Sequence, residues 1–141
     1  VPQTDSNVFS GPAPEDLLAA TNSYLELVAT ATDSVGETSV VTQELRPRTV
    51  AIDFVTEPAG LEIIVNGVSV EGPASVLSWV GYSLTVNAPD QVANGSAWEW
   101  ASWSDGGDQE HTIVSPADDT TYTAVFSESV TYQSWLPLLV R

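Results

Sequence analysis

The sequence predicts an all-β protein: two Ig-like, β-sandwich modules of antiparallel strands, the first of them incomplete. Three observations predict it. Almost every periodic segment alternates apolar and polar residues with period two, the mark of a half-buried strand. The breaks between those segments carry Asn-Gly and Asp-Gly pairs, which tolerate the positive φ angles of tight hairpins. Only one stretch, "APEDLLAATNSY", reads as a helix; its Pro and acids suit a first turn, and it spans two to three turns at most.

Taken in order, "YLELVATAT" sets Leu25, Leu27, Ala29 and Ala31 against Glu26, Val28 and Thr30. The turn "DSVGE" leads to a second strand, "TSVVTQEL". "RPRT", Arg46 to Thr49, then divides the chain, because Pro47 ends one strand and stiffens the crossing to the next. Beyond it come "TVAIDFVT" (Val50, Ile52 and Phe54 on one face), "LEIIVN" and, across Asn66-Gly67, "VSV". "YSLTVNA" carries Leu84 and Val86 on one face, and "SAWEWASW" follows Asn94-Gly95. "EHTIV" follows Asp105-Gly106-Gly107, and "TYTAVF" follows Pro116 and Asp118-Asp119.

From Thr49 to Phe126 this makes about seven strands, a complete small β-domain. The first module supplies two strands, too few to bury both faces of a sandwich. The chain therefore divides into a partial module over residues 1–47, a sandwich over 48–128 and an apolar strand or tail over 129–141. The tail "VTYQSWLPLLVR" either docks on its own domain or completes the partial module, within the chain or in a neighbouring copy. Trp135, Leu136, Leu138 and Leu139 are its candidate assembly anchors.

Composition narrows the setting. Nineteen acids face three arginines and no lysine, for a formal net charge of −16. Phosphate backbones need clustered cations, so nucleic acid is excluded as a partner, and anionic membrane surfaces are disfavoured. No apolar run is long enough to cross a bilayer. The opening "VPQTDSNVFSGPAPEDL" lacks the basic start and apolar stretch of a signal peptide, as a cleaved precursor or trimmed chain would. The absence of cysteine and methionine suits an oxidising, extracellular location.

The ordered motifs resemble a known arrangement. "YLELVATATDSVGETSVVTQELRPRTV" resembles the closing strands of the PKD-like, Ig-like region in secreted bacterial proteins of the glucose/sorbosone dehydrogenase type. The run "EPAGLEIIVNG … VGYSLTVNAPDQ … WEWASWSDGGDQEHTIVSPADDTTYTAVF" resembles the second β-module that follows it there. That module is similar to PEGA domains in its opening and to divergent internalin-B-type repeats in "WSDGG…TYTAVF". The resemblance spans roughly residues 22–127, and "WLPLLVR" resembles the carboxyl ends of certain exported bacterial proteins. It implies an accessory module at the carboxyl end of an exported protein, without the dehydrogenase domain or any of its catalytic residues. Such modules serve many parents, so the likeness implies a setting more than an activity.

Three groups of residues are candidates for a site. Trp98, Trp100 and Trp103 crowd one strand. In the resembled module the positions of Trp100 and Trp103 are core, which here requires a bend or bulge between them. With Tyr122 and Phe126 they make an aromatic core, whereas Trp98 is the more exposed ring. Trp98, with Trp79 or Tyr82, is the candidate carbohydrate-stacking platform, and Trp98 also suits a protein–protein anchor. Asp105, Asp108 and Glu110 are weak Ca²⁺ candidates without an EF-hand or repeat pattern, so turn chemistry and surface charge explain them as well. The one histidine, His111, has no nucleophile elbow or oxyanion-hole motif to serve. The expectation is a chain that is not an enzyme and holds no cofactor. Its expected partners are other copies of itself or adjacent domains of a larger exported protein, with carbohydrate as the alternative. Asn94-Gly95-Ser96 is a glycosylation sequon.

Overall fold

A computed structural model describes residues 18–130 of the chain. Among them, one helical turn, α1 (Ala19–Asn22), precedes two strands, β1 (Leu25–Thr32) and β2 (Thr38–Leu45). Nine more follow: β3 (Thr49–Glu57), β4 (Glu62–Val65), β5 (Val68–Glu71), β6 (Ala74–Trp79), β7 (Ser83–Asn87), β8 (Gln91–Ala93), β9 (Ser96–Trp103), β10 (Glu110–Val114) and β11 (Thr120–Ser129). The fold is all-β, as the alternation predicts. The expected helix is seen only in its last turn, which ends where Ser23 becomes extended; its earlier residues lie outside the described ones.

β3 to β11 form two sheets, ordered β6-β3-β11-β9-β8 and β10-β7-β4-β5. β3 shows why they close on each other. Its alternate residues Val50, Ile52, Phe54 and Thr56 are all buried. Ala124 and Phe126 of β11, and Trp103 of β9, continue that inner face. Ile63 and Val65 of β4, Leu84 and Val86 of β7, and Ile113 of β10 meet them from the other sheet. Each apolar face is withdrawn from water only because the other covers it. β1 and β2 form a separate two-stranded sheet.

Local chemistry fixes the register. Asn66-Gly67 (φ 48° and 78°) and Asn94-Gly95 (φ 53° and 83°) make the two-residue turns of the β4–β5 and β8–β9 hairpins. Both central residues sit at positive φ, as a type I′ turn demands. One pair departs from the antiparallel expectation: β3 and β11 run parallel, Thr120 opposite Ile52 through Val125 opposite Glu57. Hairpins cannot supply a parallel neighbour, so this pair is closed by the whole intervening chain.

The sequence reading missed two strands, β6 and β8. In β6 one inward position is Ser78, which hides the alternation; its Oγ lies 2.7 Å from Ser115 Oγ, and the two buried hydroxyls satisfy each other. β8 is three residues long, below what period counting detects. Its Gln91 ties the two sheets together, accepting from Glu62 N–H at 2.8 Å and donating to Glu62 O at 3.0 Å.

Candidate functional site

The tryptophan strand is settled by a bulge. β9 and β11 pair in register until a shift between Val125 and Phe126, with Ala124 opposite Trp103 and Phe126 opposite Trp100. The extra residue resets the alternation, so Trp103 faces the same way as Trp100 and Trp98 instead of the opposite way. Trp103 is fully buried, and its indole N–H donates to Gln109 O at 3.1 Å. Trp98 and Trp100 are both half-buried and both pack against the core. Trp100 is thus less enclosed than a core position implies, and its indole N–H has no acceptor among the described residues. Its backbone N–H donates to Asp90 Oδ1 at 2.8 Å. Tyr122 stacks on Phe54 with ring centroids 6.0 Å apart.

The platform residues are not brought together. Trp79 ends β6, opposite Thr49, and Trp98 lies opposite Glu128. β3 and β11 separate their strands, and the register puts them at opposite ends of the sheet, roughly 35 Å apart at ~3.3 Å per residue. Tyr82 stays with Trp79, donating its backbone N–H to Trp79 O at 3.0 Å. Trp79 uses its own indole N–H on Ala20 O at 2.8 Å, which pins α1 to the sandwich.

The acidic loop is knitted into one turn. Asp105 accepts from Gly107 N–H at 3.1 Å and faces His111 Nε2 at 3.0 Å. Asp108 contributes its backbone carbonyl, 2.7 Å from His111 Nδ1. A carbonyl only accepts, so Nδ1 donates to it, and both ring nitrogens are engaged. The imidazole edge meets Trp103 at 5.7 Å, and Gly107 lies so close under the ring that a Cβ there would strike His111 Nε2. Burial opposes ionisation of Asp105, but the Gly107 N–H and the facing imidazole outweigh it and hold its carboxyl below the usual carboxylate range. Burial first, and the Asp105 charge second, raise the Tyr122 hydroxyl above its usual value. Glu110 is elsewhere, accepting from Asn87 Nδ2 at 3.0 Å. Among the described residues, no group of three metal-ligating side chains stands together.

The third place is the β1–β2 hairpin. Its turn is built locally: Asp33 Oδ1 accepts the backbone N–H groups of Val35 and Glu37, both at 2.9 Å, and Gly36 sits at φ 88°. From there the strands pair in full, from Thr32 opposite Thr38 to Leu25 opposite Leu45. Pairing puts Leu25, Leu27, Ala29 and Ala31 on the face shared with Val41 and Leu45. Yet every residue of both strands is exposed, with Val28 at 55% and Val41 at 63%. Among the described residues no third strand joins either outer edge. Glu26 and Glu44 lie directly opposite one another, a like-charge pair that weakens the ribbon.

The hairpin's base is anchored even though its length is bare. The Arg46 guanidinium sits 5.4 Å over the Tyr24 ring and 3.2 Å from Glu44. Arg48 donates to Ala117 O at 2.9 Å and approaches Asp118 at 3.7 Å. Sequence reading found the two strands of the hairpin but not this anchor, because Arg48 and Ala117 lie 69 residues apart. The tail anchors Trp135, Leu136, Leu138 and Leu139 lie outside the described residues. Compared with known proteins, the chain matches no family model, no curated protein and no solved structure.

Proposed function

We propose that the chain is a non-catalytic extracellular module of an exported bacterial protein, serving surface display, adhesion or assembly. A closed sandwich carries an unfinished β-module, and strands from an adjacent domain or another chain complete it. The observation that carries this reading is the β1–β2 hairpin: a regular ribbon with one apolar face and, among the described residues, no third strand at either edge, fixed at its base to the two-sheet sandwich. A lone hairpin is marginal in water, and unpaired strand edges recruit further strands. The cysteine-free, acidic composition and the resemblance to accessory modules of secreted bacterial proteins support the setting. The engagement of both His111 nitrogens supports a structural role for that side chain. A carbohydrate-binding module is the alternative, and it would work from Trp98 alone or from Trp79 with Tyr82.

Amide hydrogen exchange tests the proposal. In a chain that light scattering shows to be monomeric, amides over residues 25–45 exchange fast while those of β3, β7 and β11 stay protected. Protection over 25–45 rises selectively when the completing strands are supplied. A monomer whose hairpin amides are already as protected as those of the sandwich would overturn the reading.

A further inference from the structure

The reading above leaves the completing strand unnamed, and the inference that follows rests on it. We infer that residues 135–140 of a second copy of this chain add as a strand to the open edge of the β1–β2 hairpin, joining copies head to tail.

The geometry sets the end of β11 far from the base of the hairpin within one copy. The hairpin is tied to one pole of the sandwich, where Ala20 is buried beside Trp79 and Trp79 pairs with Thr49. β11 carries the chain to the other pole. It runs parallel to β3 from Thr120, opposite Ile52, and continues past the end of β3 to Ser129, opposite Ala97. From the level of Thr49 to Ser129 is about 12 residue steps, or roughly 35–40 Å of strand. Trp135 lies six residues beyond Ser129 and Leu139 ten, so their reach is at most about 20 Å and 35 Å. A tail returning to the base of its own hairpin would spend its whole length travelling back along the sandwich. A second copy with its hairpin pole against the first copy's tail pole is reached directly.

The chemistry fits the same pairing. Each copy carries a formal charge of −16, so most surfaces of two copies repel. The side chains of residues 130–141 include no acid and one base, Arg141, whereas the hairpin holds Glu26, Asp33, Glu37 and Glu44. The incoming segment therefore adds apolar surface to an acidic ribbon without adding like charge. Pro137 has no N–H, so in an added strand its backbone would face away from the edge, as would those of Trp135 and Leu139. Leu136, Leu138 and Val140 then make the ladder, and their side chains fall together on one face. That face matches the stripe of Leu25, Leu27, Val41 and Leu45 on the hairpin. The contact is heterologous, and it propagates unless the ring closes.

The test uses the full chain. Light scattering gives masses well above the 15.0 kDa monomer, rising with protein concentration and with salt as repulsion is screened. Deleting residues 134–141 returns the monomer. Leu138→Pro removes a ladder N–H and does the same, whereas Leu139→Pro, in the outward phase, retains assembly. Ala29→Lys with Val41→Lys blocks the exposed hairpin face without touching the sandwich. That variant and the deletion variant are each monomeric alone, and mixed one to one they form a complex that stops at two chains. Assembly that survives the deletion, or equal loss from both proline variants, overturns the inference and leaves the unfinished-module reading standing. So does a monomeric full chain with fast-exchanging hairpin amides, whereas a monomer with protected hairpin amides overturns both.

Discussion

β1 and β3 are written in the same alternating code and meet opposite fates. In "LELVATAT" four apolar side chains fall on one face, and all eight residues are exposed. In "TVAIDFVTE" four side chains fall on one face, and all four are buried. The difference lies outside either strand. β3 faces a second sheet whose Ile63, Val65, Leu84 and Val86 interlock with its inner side, whereas the hairpin has one layer among the described residues. Alternation makes a strand capable of burial; a second layer converts that capacity into stability.

The largest expected effects break the sandwich and spare the hairpin. Phe54→Ala removes a fully buried ring stacked on Tyr122, and its cost is about 3–5 kcal/mol by urea unfolding. Leu27→Ala and Val41→Ala in the hairpin change global stability by no more than about 0.5 kcal/mol. Comparable losses from both regions would mean that the hairpin is packed against something. Within the tryptophan strand the same scale applies. Trp103→Ala costs about 3–5 kcal/mol, and Trp98→Ala measurably less, because only Trp103 is wholly enclosed.

Smaller effects probe the two turns. Gly107→Ala pushes a methyl into the His111 ring and costs about 1–3 kcal/mol; an unchanged unfolding midpoint would refute the close approach. The Asp105 carboxyl is held below its ordinary value when folded. Its contribution is therefore complete above the ordinary, unfolded value and is lost as pH falls through the lower, folded one. Asp105→Asn should flatten the stability profile on the acid side, and a wild-type slope there would show that Asp105 contributes nothing to it. The smallest effect belongs to Asp33→Ala. Removing the acceptor of the Val35 and Glu37 N–H groups loosens the hairpin by exchange or chemical-shift measures without moving the global transition.

The sequence by itself determined the elements. Period-two patterning marked β3, β7 and β11, Asn-Gly pairs marked two hairpin turns, and alternation marked the two strands before Pro47, because all these signals are local. β6 escaped detection because the buried Ser78 is satisfied only by Ser115, 37 residues away. Separation in sequence likewise hid the parallel β3–β11 pair, whereas Asp105 and His111 are close in sequence and carry no motif that announces their contact beneath Trp103. For the tryptophans, the resemblance implied a bend or bulge between Trp100 and Trp103, and only pairing with β11 located it. The carbohydrate platform was proposed from residue type, and its dispersal followed from strand order, which local composition does not encode. Tertiary structure alone decided which alternating faces found a second layer, since burial belongs to two surfaces and neither strand's sequence contains its partner's position.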